Sequence, residues 1–351
     1  MNPTPTHAQR LVGVLLGTAV GDALGLPAEG LSASKIASRW KGRWTYRFVA
    51  GRGMISDDTE HAAMVAQCLL AHPSDPKNFQ AALAWKFRWW LACLPAGVGF
   101  ATARAILKLW LGVSPNRSGV FSAGNGPAMR SAVIGVFFAE DAEQRRQFVE
   151  ASTRLTHTDP RALIGALAVA ETAAWTCVAH GASPFPILRN LSDLPEWRLL
   201  IDKMETAHDA GLSVPDFAET LGLAKGVTGY VFHTVPVALY AWWHHRGDFR
   251  GALEAALNCG GDTDTVGAIT AALAGADLGE AAIPSELING LTDWPRSNPW
   301  LHQLGARLAD QSTTPEPLGP LPLFWPALPF RNLAFLLIVL IHGFGRLIPR
   351  F

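Results

Sequence analysis

Gly260-Gly261-Asp262-Thr263-Asp264-Thr265-Val266-Gly267 runs straight into a small, largely apolar stretch from Ala268 to Ala276. Two glycines can take backbone angles that other residues avoid, so they turn the chain sharply. The proline-free run behind them reads as a helix buried on most sides. An Asp or Thr at such a junction can cap the helix by accepting a hydrogen bond from its first free amides. One cap needs one side chain, and two acids with two threonines are more than capping requires.

A second stretch has the same design. Ser56-Asp57-Asp58-Thr59-Glu60 follows Gly51-Arg52-Gly53 and opens a helix from His61 to Ala71. If the two loops meet, the carboxylates of Asp57, Asp58, Asp262 and Asp264 share one small space. Like charges a few ångströms apart are costly at the effective dielectric of a protein. Either some are protonated or cations lie between them. Oxygen ligands without Cys or His favour a hard octahedral ion, Mg²⁺ or Mn²⁺, over zinc. The plainer alternative is two unrelated N-caps, and spacing alone leaves both open.

Working outward, apolar residues recur at helical spacing nearly everywhere. Helices are expected at about 8–24, 59–71, 77–93, 100–111, 126–139, 142–155, 160–180, 196–209, 229–245, 248–258, 264–276 and 297–310. Alternating strand-like runs are almost absent and no heptad persists, so the expectation is an all-α, compact orthogonal multi-helix bundle rather than a coiled coil. No fixed-period repeat suggests a solenoid. Trp85, Trp89 and Trp90 lie on one helix, with Trp85 and Trp89 spaced to share a face, and are read as core.

The 351 residues suffice for one large domain or two ordinary ones. Apolar residues make up 49% and charged ones 17%, which suits a large core. Lys plus Arg is 29 and Asp plus Glu is 29, so no global field favours nucleic acid. Cys68, Cys93, Cys177 and Cys259 are far apart and read as buried small hydrophobes in a reducing compartment. The apolar stretch from Leu11 to Ala28 lacks a basic cluster before it and is interrupted by Asp22, so it reads as a core helix, not a signal peptide. The protein is expected to be cytoplasmic.

Five pieces, in order, carry a family resemblance. They are Gly17-Thr18-Ala19-Val20-Gly21-Asp22-Ala23-Leu24-Gly25 with Pro27 and Glu29; Ser56-Asp57-Asp58-Thr59; Gly124-Asn125-Gly126-Pro127-Ala128-Met129-Arg130; Thr156-His157-Thr158-Asp159-Pro160; and Gly260 to Gly267. Together they resemble the ADP-ribosylglycohydrolase family, the group around dinitrogenase-reductase-activating glycohydrolase, over roughly residues 10 to 276. The resemblance implies an all-α fold and two divalent cations held by Ser56, Asp57, Asp58, Asp262, Asp264 and Thr265, with Asp264 as the bridge. It implies hydrolysis of the glycosidic bond at C1″ of an ADP-ribosyl group on a protein or a small conjugate. Glu29, Asp58 and Asp264 are the candidates nearest the chemistry, with Glu29 positioning water or gating the site. Asp22 is either a partner of the ligands or a helix-interior buried acid.

Gly97-Val98-Gly99-Phe100-Ala101-Thr102 looks like the family's Asp-x-Gly-x-x-Thr segment, with Gly99 as a substrate contact and Gly97 where many members have Asp. That departure puts arginine specificity in doubt. Gly124, Asn125 and Gly126 precede Pro127, a residue suited to a first helical position, so free amides there offer an anion site for a diphosphate or a contact for ribose. His157 is expected to line the ADP-ribose cleft. Tyr230 stands where related hydrolases place an aromatic ring over adenine, and Phe121 is a weaker second choice.

Beyond about Asp310 the character changes, so residues 1–310 are read as the catalytic domain and 311–351 as a Pro-rich linker and apolar tail. Thr313 to Pro329 is proline-rich, and Leu333 to Ile341 is uninterrupted apolar sequence. Even counted through Gly345, the run is read as too short to span a bilayer. It is expected either to dip into a membrane interface, with Arg331, Arg346 and Arg350 at the headgroups, or to dock on a protein surface. Membrane contact through 331–351 is slightly preferred, because the proline-rich segment would hold the run off the body. Two other functional classes stay open: a non-catalytic ADP-ribose-binding or membrane-tethered regulator, and a di-metal hydrolase of nucleotide phosphodiesters.

Overall fold

The computed structural model describes residues 4–178 and 182–345. Among these the only sheet is a two-stranded one, Leu31–Ser32 antiparallel to Gly260–Gly261, and the rest of the regular structure is helical. The all-α expectation holds. Its centre is a pair of helices in backbone contact, His7–Gly25 and Thr263–Leu278. Gly13, Gly17, Gly21 and Gly25 recur every fourth residue and form one ridge. A Cβ on Gly17 would stand 2.3 Å from the Ala271 carbonyl oxygen, and one on Gly21 would stand 2.2 Å from that of Gly267. Side chains are excluded from this seam, so the helices run antiparallel at minimal separation. The end of the first helix therefore lies beside the start of the second.

Around this pair pack Asp57–Ala71, Pro160–Val178, Val231–His244 and Asn298–Ser312. Their inward faces join one apolar core that includes the fully buried Trp44, Trp197, Trp242 and Tyr240. Most helices begin and end within two residues of their expected positions. The expected helix 126–139 is instead a 3₁₀ turn, Ala128–Arg130, followed by Ala132–Phe137. Pro127 precedes that turn rather than opening an α-helix. Short helices at Ala33–Arg39, Phe185–Arg189, Val214–Thr220 and Ser285–Gly290 are additions.

The tryptophan expectation fails for two of three residues. Trp90 is buried and donates Nε1–H to Glu60 at 2.6 Å, whereas Trp85 and Trp89 are 57% and 51% exposed. Their helix turns that face away from the core. Cys68 and Cys259 are buried, Cys93 and Cys177 only half-buried, and all four are free thiols.

The proline-rich segment does not hold the tail off the body. Gln67 pairs with both backbone groups of Leu321 at 2.7 and 2.8 Å, and Gly319 donates to Leu70. The helix Leu328–Gly345 then lies along the body on a face of Leu328, Arg331, Asn332 and Phe335. Phe335 joins a small cluster with Leu26, Phe48 and Met54. Arg331 is not at a headgroup level: its buried guanidinium pairs with Asp293 and donates to the carbonyl of Ile55. Asn332 donates to the Cys93 carbonyl at 2.9 Å, and His342 meets the Pro27 carbonyl at 3.1 Å. The expectation that the run is too short also changes, because Trp325–Gly345 forms 21 helical residues, long and apolar enough to cross a bilayer by length and composition alone. Arg346 and Arg350 lie outside the described residues.

Candidate active site

The two acidic loops meet. Thr265 Oγ1 donates to Asp58 Oδ2 at 3.3 Å, joining helix starts that are 207 residues apart. Neither N-cap residue caps its own helix: Ser56 and Asp262 make no side-chain bond to the first turn behind them. The capping alternative therefore fails where it was simplest. The amides of the Asp57–Ala71 helix start are satisfied from another element. Asp22, buried in the first helix, accepts from the backbone N–H of Ser56 at 2.8 Å and of Thr59 at 3.2 Å. Its carboxylate also accepts the Ser56 hydroxyl proton at 2.7 Å and that of Thr59. Both readings of Asp22 are thus true, a helix-interior acid and the partner of a candidate ligand. Burial pushes its carboxyl up to about 6, against the pull of these four donors.

The second loop is shaped by glycine. Gly260 and Gly261 have φ of 70° and 81°, and a Cβ on Gly261 would lie 1.9 Å from the Val227 carbonyl oxygen. Only glycine fits. The Gly30 N–H donates to the Gly261 carbonyl at 2.7 Å, which sets the exposed Glu29 beside this loop. Thr263 is buried and its hydroxyl ties the loop to the Gly25 carbonyl at 2.8 Å.

Asp58 and Asp264 are 1% and 6% exposed. Each has one buried oxygen, Oδ1, without a hydrogen-bond partner. Burial first, then the charges of Asp57, Asp22 and Asp262, holds the Asp58 carboxyl well above the usual carboxylate range. Burial, then Glu29, Asp262 and Asp58, does the same for Asp264. Asp57, half-buried, is pushed up by burial and by Asp22, Glu60 and Glu29. Asp262 accepts from Asn125 Nδ2 at 2.6 Å, and Asn125 also donates to Thr234 Oγ1 at 3.0 Å.

Do these residues suit divalent cations? No three His, Cys, Asp or Glu side chains among the described residues already enclose a common ion-sized point. The chemistry nonetheless fits. Orphaned carboxylate oxygens under the charge of other acids need a positive partner or a proton. Ser56, with its proton committed to Asp22, has lone pairs left to offer. The donors are hard oxygens throughout.

A second group of residues adjoins the acids. Gly124 bridges Tyr230, the Asn125 N–H donates to the Gly229 carbonyl at 3.0 Å, and Val120 bridges His157. A Cβ on Gly229 would stand 3.5 Å from Asp262 Oδ2, so Tyr230 is one residue from the acidic cluster. Tyr230 is half-buried, and its hydroxyl donates to Glu196 Oε1 at 2.7 Å. His157 is buried behind the Gly124–Gly126 turn: a Cβ on Gly124 would come 3.0 Å from its Nε2. Burial and Arg130 press its imidazole down to about 3, so it stays neutral. Gly97 lies next to Asp57, with 3.7 Å between a built Cβ and Oδ1, and Thr102 lies near Gly126. Gly99 is exposed at the start of the helix Phe100–Trp110. Phe121 is 78% exposed and makes no ring contact among the described residues.

The helix start expected at residue 126 is a 3₁₀ turn instead. The amides of Asn125, Ala128 and Met129 are spent on the carbonyls of Gly229 and Asn125. Sequence reasoning also missed Arg130. It is fully buried and donates to Gly126 O, Ser152 O and Thr156 Oγ1 at 2.8 to 2.9 Å, fastening the glycine turn to the His157 segment. A lone arginine inside an apolar segment was the available signal.

The chain matches the family model described as ADP-ribosylglycohydrolase over residues 3–317. It is 33% identical over 298 residues to an uncharacterised protein of Archaeoglobus fulgidus, covering 80% of this chain and 90% of that one. It is 27% identical to the ADP-ribosyl-[dinitrogen reductase] glycohydrolase of Rhodospirillum rubrum, covering 82% and 92%. It is 26% identical to the ADP-ribosylhydrolase ARH3 of Gallus gallus, covering 78% and 87%. A solved structure titled ADP-ribosylglycohydrolase-related protein complex superposes with a TM-score of 0.61 at 29% identity, covering 87% of this chain and 99% of that one.

Proposed function

The chain belongs to the ADP-ribosylglycohydrolase family, and on that premise we propose a divalent-cation-dependent hydrolase that cleaves the glycosidic bond at C1″ of ADP-ribosyl groups. The observation that carries the cation dependence is the pair of buried, unpartnered oxygens on Asp58 and Asp264. Ser56, Asp57, Asp58, Asp262, Asp264 and Thr265 are the proposed ligands of two Mg²⁺ or Mn²⁺ ions. Bound there, such ions supply the positive charge that fixes the ribose hydroxyls and lowers the pKa of a water.

This chain's own residues do the rest. Asp22 accepts a hydrogen bond from the Ser56 hydroxyl and so leaves the serine lone pairs free for the site. Asn125 holds Asp262 in one orientation through its amide. Glu29, exposed at the mouth beside the glycine loop, receives the proton of the attacking water. Carboxylates on one side of the sugar stabilise the positive charge that develops at C1″ as the bond breaks. The Tyr230 ring stacks on the base, and neutral His157 backs the turn that cradles the diphosphate or ribose.

Gly97 supports an acceptor other than arginine. An acid at that place would sit beside Asp57, and this chain has none there. The deciding experiment incubates the purified protein with arginine-linked, serine-linked and O-acetyl ADP-ribose in Mg²⁺ or Mn²⁺. Free ADP-ribose as product supports the proposal; AMP would indicate phosphodiester cleavage instead. Binding of ADP-ribose without turnover of any linkage would favour a regulatory protein.

A further inference from the structure

The helix Trp325–Gly345 is apolar, long and largely uncovered. Among the described residues three helices are long and apolar enough to cross a membrane. His7–Ala28 and Pro160–Val178 are 100% and 72% buried in the body over their apolar windows, and Trp325–Gly345 only 22%. Its inner face is the docked one already described. Its outer face carries Phe330, Leu333, Leu337, Leu340, Ile341 and Phe344, all exposed. The family match ends at residue 317, so this helix lies outside the matched region.

Two further features adjoin it. The first is aromatic. Exposed Trp85 and Trp89 face Trp325 across a cleft of about 770 Å³. The Trp89 ring meets Trp110 at 5.8 Å, and exposed Trp294 meets Phe324 at 5.6 Å. Tryptophan is the residue that settles at the boundary between headgroups and acyl chains. The second is charge. Residues 30–52 hold Lys35, Arg39, Lys41, Arg43, Arg47 and Arg52, all exposed, and no acid. Phe48, in the middle of that stretch, meets the His342 ring at 4.9 Å. Phe48 therefore brings this part of the basic stretch, with Arg47 beside it, against the C-terminal half of the apolar helix.

We propose that this face lies in the plane of an anionic lipid bilayer. The outer side chains of the helix enter the acyl boundary, the tryptophans take the headgroup level, and the basic stretch meets the lipid phosphates. An apolar helix face and a basic patch together give the two signals that stable peripheral attachment needs. A second copy of the chain is the poorer occupant. A two-fold interface sets the same patch against itself, and six basic residues would oppose six. A transmembrane placement is disfavoured too. It would pull Arg331 from Asp293 and Glu60 and strand three buried charges.

The test is sedimentation of the full-length chain with vesicles of phosphatidylcholine, alone or mixed with phosphatidylglycerol. The wild type should sediment with the anionic vesicles and be released by salt. Leu337→Glu with Ile341→Glu changes only exposed positions, and should lower binding at least about tenfold with an unchanged thermal melt. Lys41→Gln with Arg43→Gln should lower binding to the anionic vesicles by about tenfold and leave that to neutral ones unaltered. Wild type that ignores both vesicles overturns the proposal. So does a concentration-dependent dimer that the Leu337→Glu, Ile341→Glu pair dissociates, and so does carbonate-resistant insertion, which would mean a spanning helix.

Discussion

Replacing Asp264 by asparagine should stabilise the protein in one solution and destabilise it in another. Asp264 is buried, its Oδ1 has no partner, and its acidic neighbours raise the cost of its charge. A buried polar atom left unsatisfied costs about 1–3 kcal/mol, more when charged. With the site stripped by chelator, asparagine removes that charge and its repulsion. A gain of about 1–3 kcal/mol should raise the melting temperature by about 2 °C per kcal/mol. Manganese reverses the order. A cation at about one hundredfold over its Kd stabilises the wild type by about 2.7 kcal/mol, and the variant, short of a ligand, gains much less. Paired thermal melts in chelator and in Mn²⁺, with calorimetric titration of the ion, read both signs. If the chelated variant melts below wild type, or Mn²⁺ lifts both proteins equally, the reasoning fails.

Tyr230→Ala should weaken ADP-ribose binding by about 1–3 kcal/mol while Tyr230→Phe, which keeps the ring, changes it little; calorimetry showing equal losses would remove the stacking role. His157 is a base whose folded pKa is depressed to about 3 from 6.5, so its stabilising contribution is complete above 6.5 and is lost as pH falls toward 3. The stability gap between wild type and His157→Gln, from urea unfolding, should therefore widen with rising pH by up to about 1.4 kcal/mol per unit in that window, and a narrowing gap would contradict it. Gly21→Ala drives a methyl into the Gly267 carbonyl, with backbone on both sides and nothing to repack. It should cost about 3 kcal/mol or more, and an unchanged denaturation midpoint would show that the seam can part.

Periodicity made the helices legible because most bury one face, and a buried face writes itself at every third or fourth position. The acids were legible as a pair of motifs, yet spacing could not say that Asp58 and Thr265 touch; that contact depends on the glycine ridge of the first helix. The spacing of Gly13, Gly17, Gly21 and Gly25 was plain in the sequence, but a ridge acquires meaning only opposite Ala271 and Gly267. Asp22 was ambiguous because a buried acid and a partner of ligands have the same local sequence. Trp85 and Trp89 misled because their spacing places them on one helix face without saying whether that face turns toward the core. The tail misled through Arg331: a flanking arginine looks like a headgroup contact until Asp293, 38 residues earlier, is seen beside it.

Under the proposed cation dependence, the glycine seam has a consequence for ion choice. Asp22, which holds the hydroxyl of the proposed ligand Ser56, rides on one helix of the seam and the proposed ligand Asp264 on the other, and no side chain lies between the two backbones to act as a spring. Ligands mounted on so stiff a frame cannot recede together to suit a larger ion. Mg²⁺ takes oxygen at about 2.0–2.1 Å in a near-ideal octahedron, while Ca²⁺ prefers about 2.3–2.6 Å and more ligands. With cations bound as proposed, the seam would act as a gauge of ionic radius, set by six glycines, Gly13, Gly17, Gly21 and Gly25 on one ridge and Gly267 and Gly275 on the other, rather than by any residue that would touch the metal.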